Sequence, residues 1–192
     1  MKTNNIDVQE ADNNKKDGEK TSVKQEVFQW VQSLVVSVVI VALIITFVGR
    51  VMDVKGESML PTFHDGDRVI TTNLYKDLKR GDVVVIKRKG DTPLIKRVIA
   101  VENEKIDINF KTGEVSVNGV ILKEDYINEV THSDLGTQLP ATVPKGHVFV
   151  MGDNRNHSLD SRDPSVGMVD ERNVFGKVIF RIYPFNKMGK VK

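Results

Sequence analysis

The chain of 192 residues contains no cysteine, and this absence excludes three kinds of chemistry. Disulfides, thiolate nucleophiles and cysteine-based zinc sites all require the thiol group. The four histidines, His64, His132, His147 and His157, do not follow the HExxH spacing of a helical zinc site, so no metal site is expected. The formal net charge of +2 is also too small to indicate a nucleic-acid-binding protein. The sequence therefore predicts no metal, no cofactor and no nucleic-acid partner.

Charge is also missing from one long segment near the N-terminus. No residue between Val31 and Val48 is charged, and only Gln32, Ser33, Ser37 and Thr46 are polar. A helix of about 20 such residues spans a bilayer, and Trp30 and Arg50 flank the run as interfacial residues do. We therefore predict a transmembrane anchor over residues 27–49. Residues 1–26 are polar, with five lysines and six acids, and are predicted to form a disordered tail.

Two other interpretations of the apolar segment are weaker. A buried helix of a soluble protein normally keeps a polar stripe, and this segment has none. A cleaved secretory signal has an apolar core of about 7–15 residues and a small-residue cleavage site, whereas this core is longer. An uncleaved anchor is therefore expected. The lysines before it outnumber the basic residues after it only slightly, so charge gives a weak preference for a cytoplasmic N-terminus.

Residues 50–192 lack any long helical periodicity and any repeat of fixed length. They contain short runs rich in β-branched residues with glycine-containing turns between them, which is typical of strands. Asn118-Gly119 indicates a hairpin turn inside EVSVNGVIL. The clearest strand predictions are residues 68–71, 82–88, 93–101, 105–109, 114–122, 147–152 and 177–185. The predicted fold is an all-β soluble domain preceded by a single N-terminal transmembrane α-helix.

The stretch GESMLPT, residues 56–62, places Ser58 in a turn just after the predicted membrane span. A serine hydroxyl is a weak nucleophile until a base removes its proton. His64 is near in sequence, which says little about distance in space. The second glycine of the G-x-S-x-G elbow is missing, which excludes an α/β-hydrolase site.

Lysine is the other candidate base, provided that it loses its charge. In a strand Lys96 would share one face with Leu94, Val98 and Ala100. Desolvation on such a face lowers the pKa of an amine toward neutrality. Alternatively, Lys96 lies on an edge strand and extends its amine to solvent.

A third segment, MGDNRNHSLDSRD at residues 151–163, is dense in charged and polar side chains. It is either an exposed loop or a structured polar network. In the second case Asp160 would pair with Arg162 or another cation, and Ser158 would be available to orient a base.

Together these segments resemble the motifs of bacterial type I signal peptidases, in particular the compact Gram-positive form. Four motifs occur in the family's order after a membrane span: Ser58-Met59-x-Pro61-Thr62, Arg80-Gly81-Asp82-Val83-Val84, Lys96-Arg97-Val98, and Gly152-Asp153-Asn154-Arg155 with Ser158, Asp160, Ser161 and Arg162. The similarity covers nearly the whole chain after residue 26.

The resemblance implies a mechanism. Ser58 is the nucleophile, its backbone N–H faces the oxyanion, and neutral Lys96 is the general base. Ser158 is expected to hydrogen-bond Lys96. The remaining supporting residues are Gly152, Asp153, and an ion pair of Asp160 with Arg162. One departure is Gly56, which stands where some family members have a serine that assists the oxyanion.

The resemblance also implies location and substrates. The β domain would lie outside the cell membrane with the N-terminus in the cytoplasm, and the substrates would be secreted preproteins with small-x-small cleavage sites. The lipid bilayer is then a second partner, and the oligomeric state stays open. Two alternatives remain: a self-cleaving repressor relative with similar Ser/Lys chemistry, and an anchored β domain that binds partners without catalysis.

Overall fold

The structure is a computed structural model that describes residues 23–87 and 92–191, with residues 24 and 44–48 described by their backbone only. Its elements are one α-helix, two short 3-10 helices and twelve strands within those ranges. The helices are α1 (Val23–Val48) and the 3-10 turns Glu171–Asn173 and Phe185–Lys187. The strands are β1 (Arg50–Asp53), β2 (Arg68–Thr72), β3 (Val83–Ile86), β4 (Leu94–Ala100), β5 (Lys105–Asn109), β6 (Glu114–Val117), β7 (Val120–Ile121), β8 (Ala141–Thr142), β9 (His147–Met151), β10 (Val169–Asp170), β11 (Val174–Tyr183) and β12 (Gly189–Lys190).

Helix α1 contains the predicted anchor. Its segment Gln25–Leu43 is long and apolar enough to cross a membrane, and it is the one such helix among the described residues. Large apolar side chains, including those of Trp30, Leu34 and Val38, are exposed along it, as expected of a surface that contacts lipid. The apolar helix and the β-rich remainder agree with the predicted fold class.

The helix begins at Val23, four residues before the predicted start of the anchor. Residues 23–26 of the predicted tail are therefore helical, and residues 1–22 lie outside the described part of the chain. Lys24, Gln25 and Glu26 all have high helix propensity. Glu26 also lies in the first turn, where a negative charge favours the helix dipole.

The strands form two antiparallel sheets. The larger sheet has the order β1-β2-β11-β3-β4-β9-β10, with β12 pairing β11, and the smaller has the order β7-β6-β5-β8. The predicted hairpin is confirmed, because β6 pairs β7 around Asn118 and Gly119, which have φ of 53° and 77°. Two positive φ values are typical of a type I′ turn.

The centre of the larger sheet is buried on both faces. On β3, Val83 and Val85 belong to one apolar cluster, and Val84 and Ile86 belong to another. A third cluster joins the two sheets, because Ile99 at the end of β4 packs with side chains of β5, β6 and β9. A strand covered on both faces reads as a continuous apolar run, which explains why β3 and β4 were easily predicted.

A β-bulge changes one expectation about β4. The pairing of β4 with β9 shifts register between Val98 and Ala100. Leu94 and Val98 pack in one cluster, whereas Ala100 packs with Ile99 in the third cluster. The apolar face predicted around Lys96 therefore includes Leu94 and Val98 but not Ala100, because the extra residue of a bulge interrupts the alternation of a strand.

Candidate active site

Ser58, the candidate nucleophile, lies in the loop between β1 and β2, residues 54–67, called the nucleophile loop below. Backbone hydrogen bonds fold this loop on itself. The Leu60 N–H donates to the Glu57 carbonyl at 3.1 Å, and the Phe63 N–H donates to the Met59 carbonyl at 2.8 Å. Met59 and Phe63 are both 1% exposed and anchor the loop in the core. Ser58, directly before Met59, stays partly exposed, so the loop presents its hydroxyl from a fixed backbone.

Lys96 lies on β4, an inner strand of the larger sheet between β3 and β9. Its Nζ is 2.6 Å from Ser58 Oγ. Val84 is its directly opposed partner on β3. Only 1% of Lys96 is exposed, so the alternative of an edge-strand lysine with a solvated amine is wrong. A separation of about 2.6–3.2 Å is what proton transfer between a nucleophile and its base requires.

Burial changes the acidity of this amine. The pKa of Lys96 is lowered from 10.5 to about 8, mainly by desolvation and to a smaller extent by the positive charge of Arg162. The carboxylates of Asp160 and Asp153 act in the opposite direction. Each carboxylate is paired with an arginine, which limits how strongly it stabilises the ammonium form. A substantial neutral fraction of Lys96 therefore exists near pH 8.

The Asp160–Arg162 ion pair is present and fully buried. Arg162 Nε and Nη2 donate to the two oxygens of Asp160 at 2.9 and 2.8 Å. The same carboxylate accepts the Gly152 N–H at 2.9 Å. Gly152 in turn lies against the nucleophile loop, because a Cβ added to it would be 2.4 Å from the Ser58 carbonyl oxygen. The ion pair thus holds a backbone segment that lies against the backbone of Ser58, the candidate nucleophile.

Ser158 does not make the predicted hydrogen bond to Lys96. Its Oγ is buried and has no hydrogen-bond partner among the described residues. A Cβ added to Gly152 would lie 2.2 Å from this Oγ, so the hydroxyl lies beside the backbone that contacts the nucleophile loop. A buried hydroxyl without a partner is costly.

Asp153 belongs to a second buried ion pair. Arg97 Nε and Nη2 donate to its two oxygens at 2.8 and 2.7 Å, and the Thr62 hydroxyl donates to the same carboxylate. Arg97 directly follows the candidate base, and Thr62 lies four residues after Ser58. This pair therefore joins β4, the nucleophile loop and the 151–163 segment, which agrees with the structural role expected for Asp153.

Sequence reasoning missed a third set of buried contacts around Tyr126. Its ring lies under the guanidinium of Arg97, whose Cζ is 4.1 Å from the ring centroid. Its hydroxyl donates to Glu124, which accepts two hydrogen bonds from Arg155. Desolvation, and to a smaller extent the nearby Glu124 carboxylate, raises the pKa of Tyr126. A tyrosine-glutamate pair in a polar segment gave no signal in the sequence that it would contact the buried arginines.

A cleft of about 240 Å³ opens beside the serine and the lysine. Ser58 and Lys96 both line it, and most of its other walls are apolar, including Met52, Val54 and Leu94. A concave, largely apolar site with a few polar groups is typical of ligand recognition. The cleft therefore places room for a small apolar side chain next to the candidate nucleophile.

The glycine at position 56 does not supply a free backbone donor in this structure. The Gly56 N–H donates to Asp65 Oδ1 at 2.7 Å. Gly56 has a φ of +80°, a conformation that side chains rarely adopt. The glycine therefore shapes the turn before Ser58, and its N–H is already satisfied.

The chain is similar to known signal peptidases over most of its length. The family model described as signal peptidase, peptidase S26, matches residues 27–183. Signal peptidase I T of Bacillus subtilis (strain 168) is 37% identical over 189 residues, which covers 91% of this chain and 95% of that protein. Signal peptidase I of Bacillus licheniformis is 34% identical over 181 residues, covering 88% and 96% respectively. A crystal structure of a signal peptidase I from Enterococcus faecalis V583 is 30% identical, covers 53% of this chain and 97% of its own, and has a TM-score of 0.43.

The chain belongs to the signal peptidase family, peptidase S26. The match includes the apolar helix as well as the β-rich part. It therefore decides against the self-cleaving repressor alternative. Family membership and the single apolar helix together fit a membrane-anchored peptidase.

Proposed function

We propose that this protein is a membrane-bound serine endopeptidase that removes signal peptides from secreted preproteins, with Ser58 as nucleophile and Lys96 as general base. The observation that carries the proposal is the 2.6 Å separation between Ser58 Oγ and the buried amine of Lys96. Family membership supports the reaction class. The lowered pKa of Lys96, about 8, supports its use as a base.

The reaction has two halves. In the first, neutral Lys96 accepts the proton of Ser58 while Oγ attacks the scissile carbonyl carbon. The resulting tetrahedral intermediate collapses to an ester, and Lys96 donates its proton to the departing amine. In the second, Lys96 takes a proton from a water molecule, which attacks the ester carbonyl carbon. The C–O bond to Ser58 then breaks, Lys96 returns the proton to Ser58 Oγ, and the carboxylic acid product leaves. The Ser58 backbone N–H is the proposed donor to the oxyanion.

The substrates proposed are preproteins with small residues at the cleavage site. The apolar cleft beside Ser58 supports this class, because small apolar side chains fit such walls without burying a polar group. Helix α1 would hold the enzyme at the bilayer, with its N-terminus in the cytoplasm and the β domain on the outer side. Confinement to the membrane surface raises the effective concentration of enzyme toward membrane-inserted substrates.

The experiment is cleavage of a purified preprotein in detergent by the full-length protein and by Ser58→Ala and Lys96→Ala. Both variants are expected to lose nearly all activity, by a factor on the order of 10³ or more. The logarithm of kcat/KM for the wild type is expected to rise with pH and to level off above about pH 8, where Lys96 becomes neutral. Wild-type rates in both variants would refute the Ser58/Lys96 mechanism, whereas the absence of cleavage by the wild type would favour a non-catalytic anchored domain.

A further inference from the structure

Asn154 contacts the backbone on both sides of the candidate nucleophile. Its side-chain Nδ2 donates to the Glu57 carbonyl at 3.0 Å. Its own backbone N–H donates to the Ser58 carbonyl, also at 3.0 Å. One residue of the 151–163 segment therefore holds both carbonyl groups that flank the Ser58 Cα.

The contact with Glu57 fixes more than a carbonyl group. The peptide between Glu57 and Ser58 is not among the cis bonds of the described residues. In a planar trans peptide the C=O and the N–H point to opposite sides. The Ser58 N–H therefore points away from the Asn154 amide, and any rotation of the Glu57 carbonyl rotates the Ser58 N–H with it.

We propose that Asn154 is a positioning residue that sets the direction of the Ser58 N–H for the oxyanion. This inference rests on the proposed function, in which that N–H stabilises the tetrahedral intermediate. The Leu60 N–H shares the Glu57 carbonyl at 3.1 Å, so the peptide is held from two directions. The Asn154 amide is the one of these two donors that a side-chain substitution can remove.

Position 56 makes this support more important. The glycine there has no side-chain hydroxyl to offer the oxyanion, and its N–H is bonded to Asp65. An oxyanion site with few hydrogen-bond donors depends more strongly on the direction of each donor. Removal of an oxyanion donor in another enzyme costs about 10²–10³ in kcat, and a misdirected donor is expected to cost part of that.

Asn156 provides a matched control two residues away. Its Nδ2 also donates to a backbone carbonyl, that of Val130, at 3.1 Å. Its Oδ1 accepts from the His132 and Ser133 N–H groups. It thus holds backbone groups in the same way as Asn154, but within the described part of the chain it makes no hydrogen bond to the nucleophile loop.

The test compares Asn154→Asp, Asn154→Ala and Asn156→Asp in the full-length protein. The aspartate has the same shape as asparagine but places an oxygen against the Glu57 carbonyl, so it removes the donor and repels the acceptor. Four quantities are measured: kcat and KM on a signal-peptide substrate, the pH midpoint of kcat/KM, and the inhibition constant of a substrate-like peptide aldehyde. The aldehyde forms a hemiacetal with Ser58 whose oxygen occupies the oxyanion position.

For Asn154→Asp we expect kcat to fall by about tenfold or more, with KM changed by less than about threefold. The aldehyde should lose affinity by the same factor as kcat/KM. In Asn154→Ala, which adds no charge, the pH midpoint should stay near the wild-type value. Asn154→Ala should lose less, because Leu60 still holds the carbonyl. Asn156→Asp should keep wild-type kcat and aldehyde affinity.

Three results would overturn the inference: an Asn154→Asp variant with wild-type kcat, a loss confined to KM, or an unchanged aldehyde affinity despite lower activity. A thermal melt shows whether each variant is folded, and Asn154→Ala carries the test if the aspartate variant is not. Failure of the proposed function is distinguishable, since it would appear as activity retained in Ser58→Ala and Lys96→Ala whatever Asn154 does.

Discussion

At the scale of single residues, the chemistry of Lys96 is set by its surroundings rather than by its type. An amine with a pKa of about 8 is present in both the neutral and the protonated form near pH 8. The same group in water has a pKa near 10.4 and is almost wholly protonated there. Burial is the main cause of the difference between these two pKa values. Burial also means that a protonated Lys96 makes the free energy of folding less favourable.

This cost predicts a pH-dependent stability. Between about pH 8 and 10.5 the unfolded chain binds a proton at Lys96 that the folded chain does not, so stability rises with pH across this window. Relative to Lys96→Met, the wild type should gain about 1.4 kcal/mol per pH unit at most, or about 3 kcal/mol in total. Below pH 8 the difference between the two proteins should be constant. Chemical unfolding in detergent at several pH values measures it.

A Ser58→Ala variant serves as the control for this experiment. It removes the hydroxyl partner and leaves the burial of Lys96 unchanged. The difference in free energy of unfolding between Ser58→Ala and the double variant Ser58→Ala/Lys96→Met should therefore change with pH at the same slope as the difference between the wild type and Lys96→Met. A flat difference across pH 8–10.5 would contradict the claim that desolvation lowers the pKa of Lys96.

The Arg97–Asp153 pair predicts a large loss of stability at another single residue. Arg97→Met leaves the fully buried Asp153 carboxylate without its bidentate partner, and breaking such a pair costs about 3–5 kcal/mol. Arg68→Met removes the exposed pair with Asp53, where about 1 kcal/mol or less is expected. Thermal unfolding of both variants compares the two losses, and equal losses would show that burial of the first pair has no energetic weight.

At the scale of elements, the long strands were predictable and the short ones were not. The alternation in KIDIN at β5 and the apolar run of β3 follow directly from side-chain periodicity. Strands β8, β10 and β12 have two residues each, too few for any period. The bulge that removes Ala100 from the Lys96 face also leaves no mark in the sequence.

The candidate site divides in the same way. Ser58 and Lys96 are 38 positions apart, and their proximity was predicted from a resemblance, since spacing alone left the base undecided. The partners of Asp153 and Tyr126 lie on distant segments, and no local pattern identifies them. The predicted contact of Ser158 with Lys96 is absent. The orientation of one hydroxyl depends on the packing of several segments at once, so the sequence does not determine it.

Close packing at Gly152 gives a prediction for the segment that supports the site. In Gly152→Ala the added Cβ would meet the Ser158 Oγ at 2.2 Å and the Ser58 carbonyl at 2.4 Å, so the nucleophile loop must move. Overpacking of this kind costs about 1–3 kcal/mol, and kcat should fall with it. In Gly189→Ala the new Cβ meets nothing within 4 Å, so activity and melting temperature should stay near wild type. Normal kcat in Gly152→Ala would mean that the loop position has no effect on catalysis.

At the scale of the whole molecule, the proposed function assigns membrane anchoring to the apolar helix and catalysis to the β-rich part. The helix carries no residue of the candidate site, whose members all lie between residues 56 and 162. Weakening the helix as a membrane anchor should therefore reduce access to membrane-inserted substrates without changing the reaction itself.

The double variant Val38→Arg/Val41→Arg tests this division. Each arginine near the middle of a membrane span adds about 2.5–3.5 kcal/mol to its insertion free energy. We expect the variant to leave the membrane fraction on alkaline extraction and to process membrane-inserted preprotein poorly. Its kcat on a short peptide in detergent should equal that of the wild type, as should that of Leu74→Arg, a control at an exposed loop residue. Because the candidate site is built wholly from residues after the helix, a loss of peptide hydrolysis in the double variant alone would show that the helix contributes to the chemistry as well as to location.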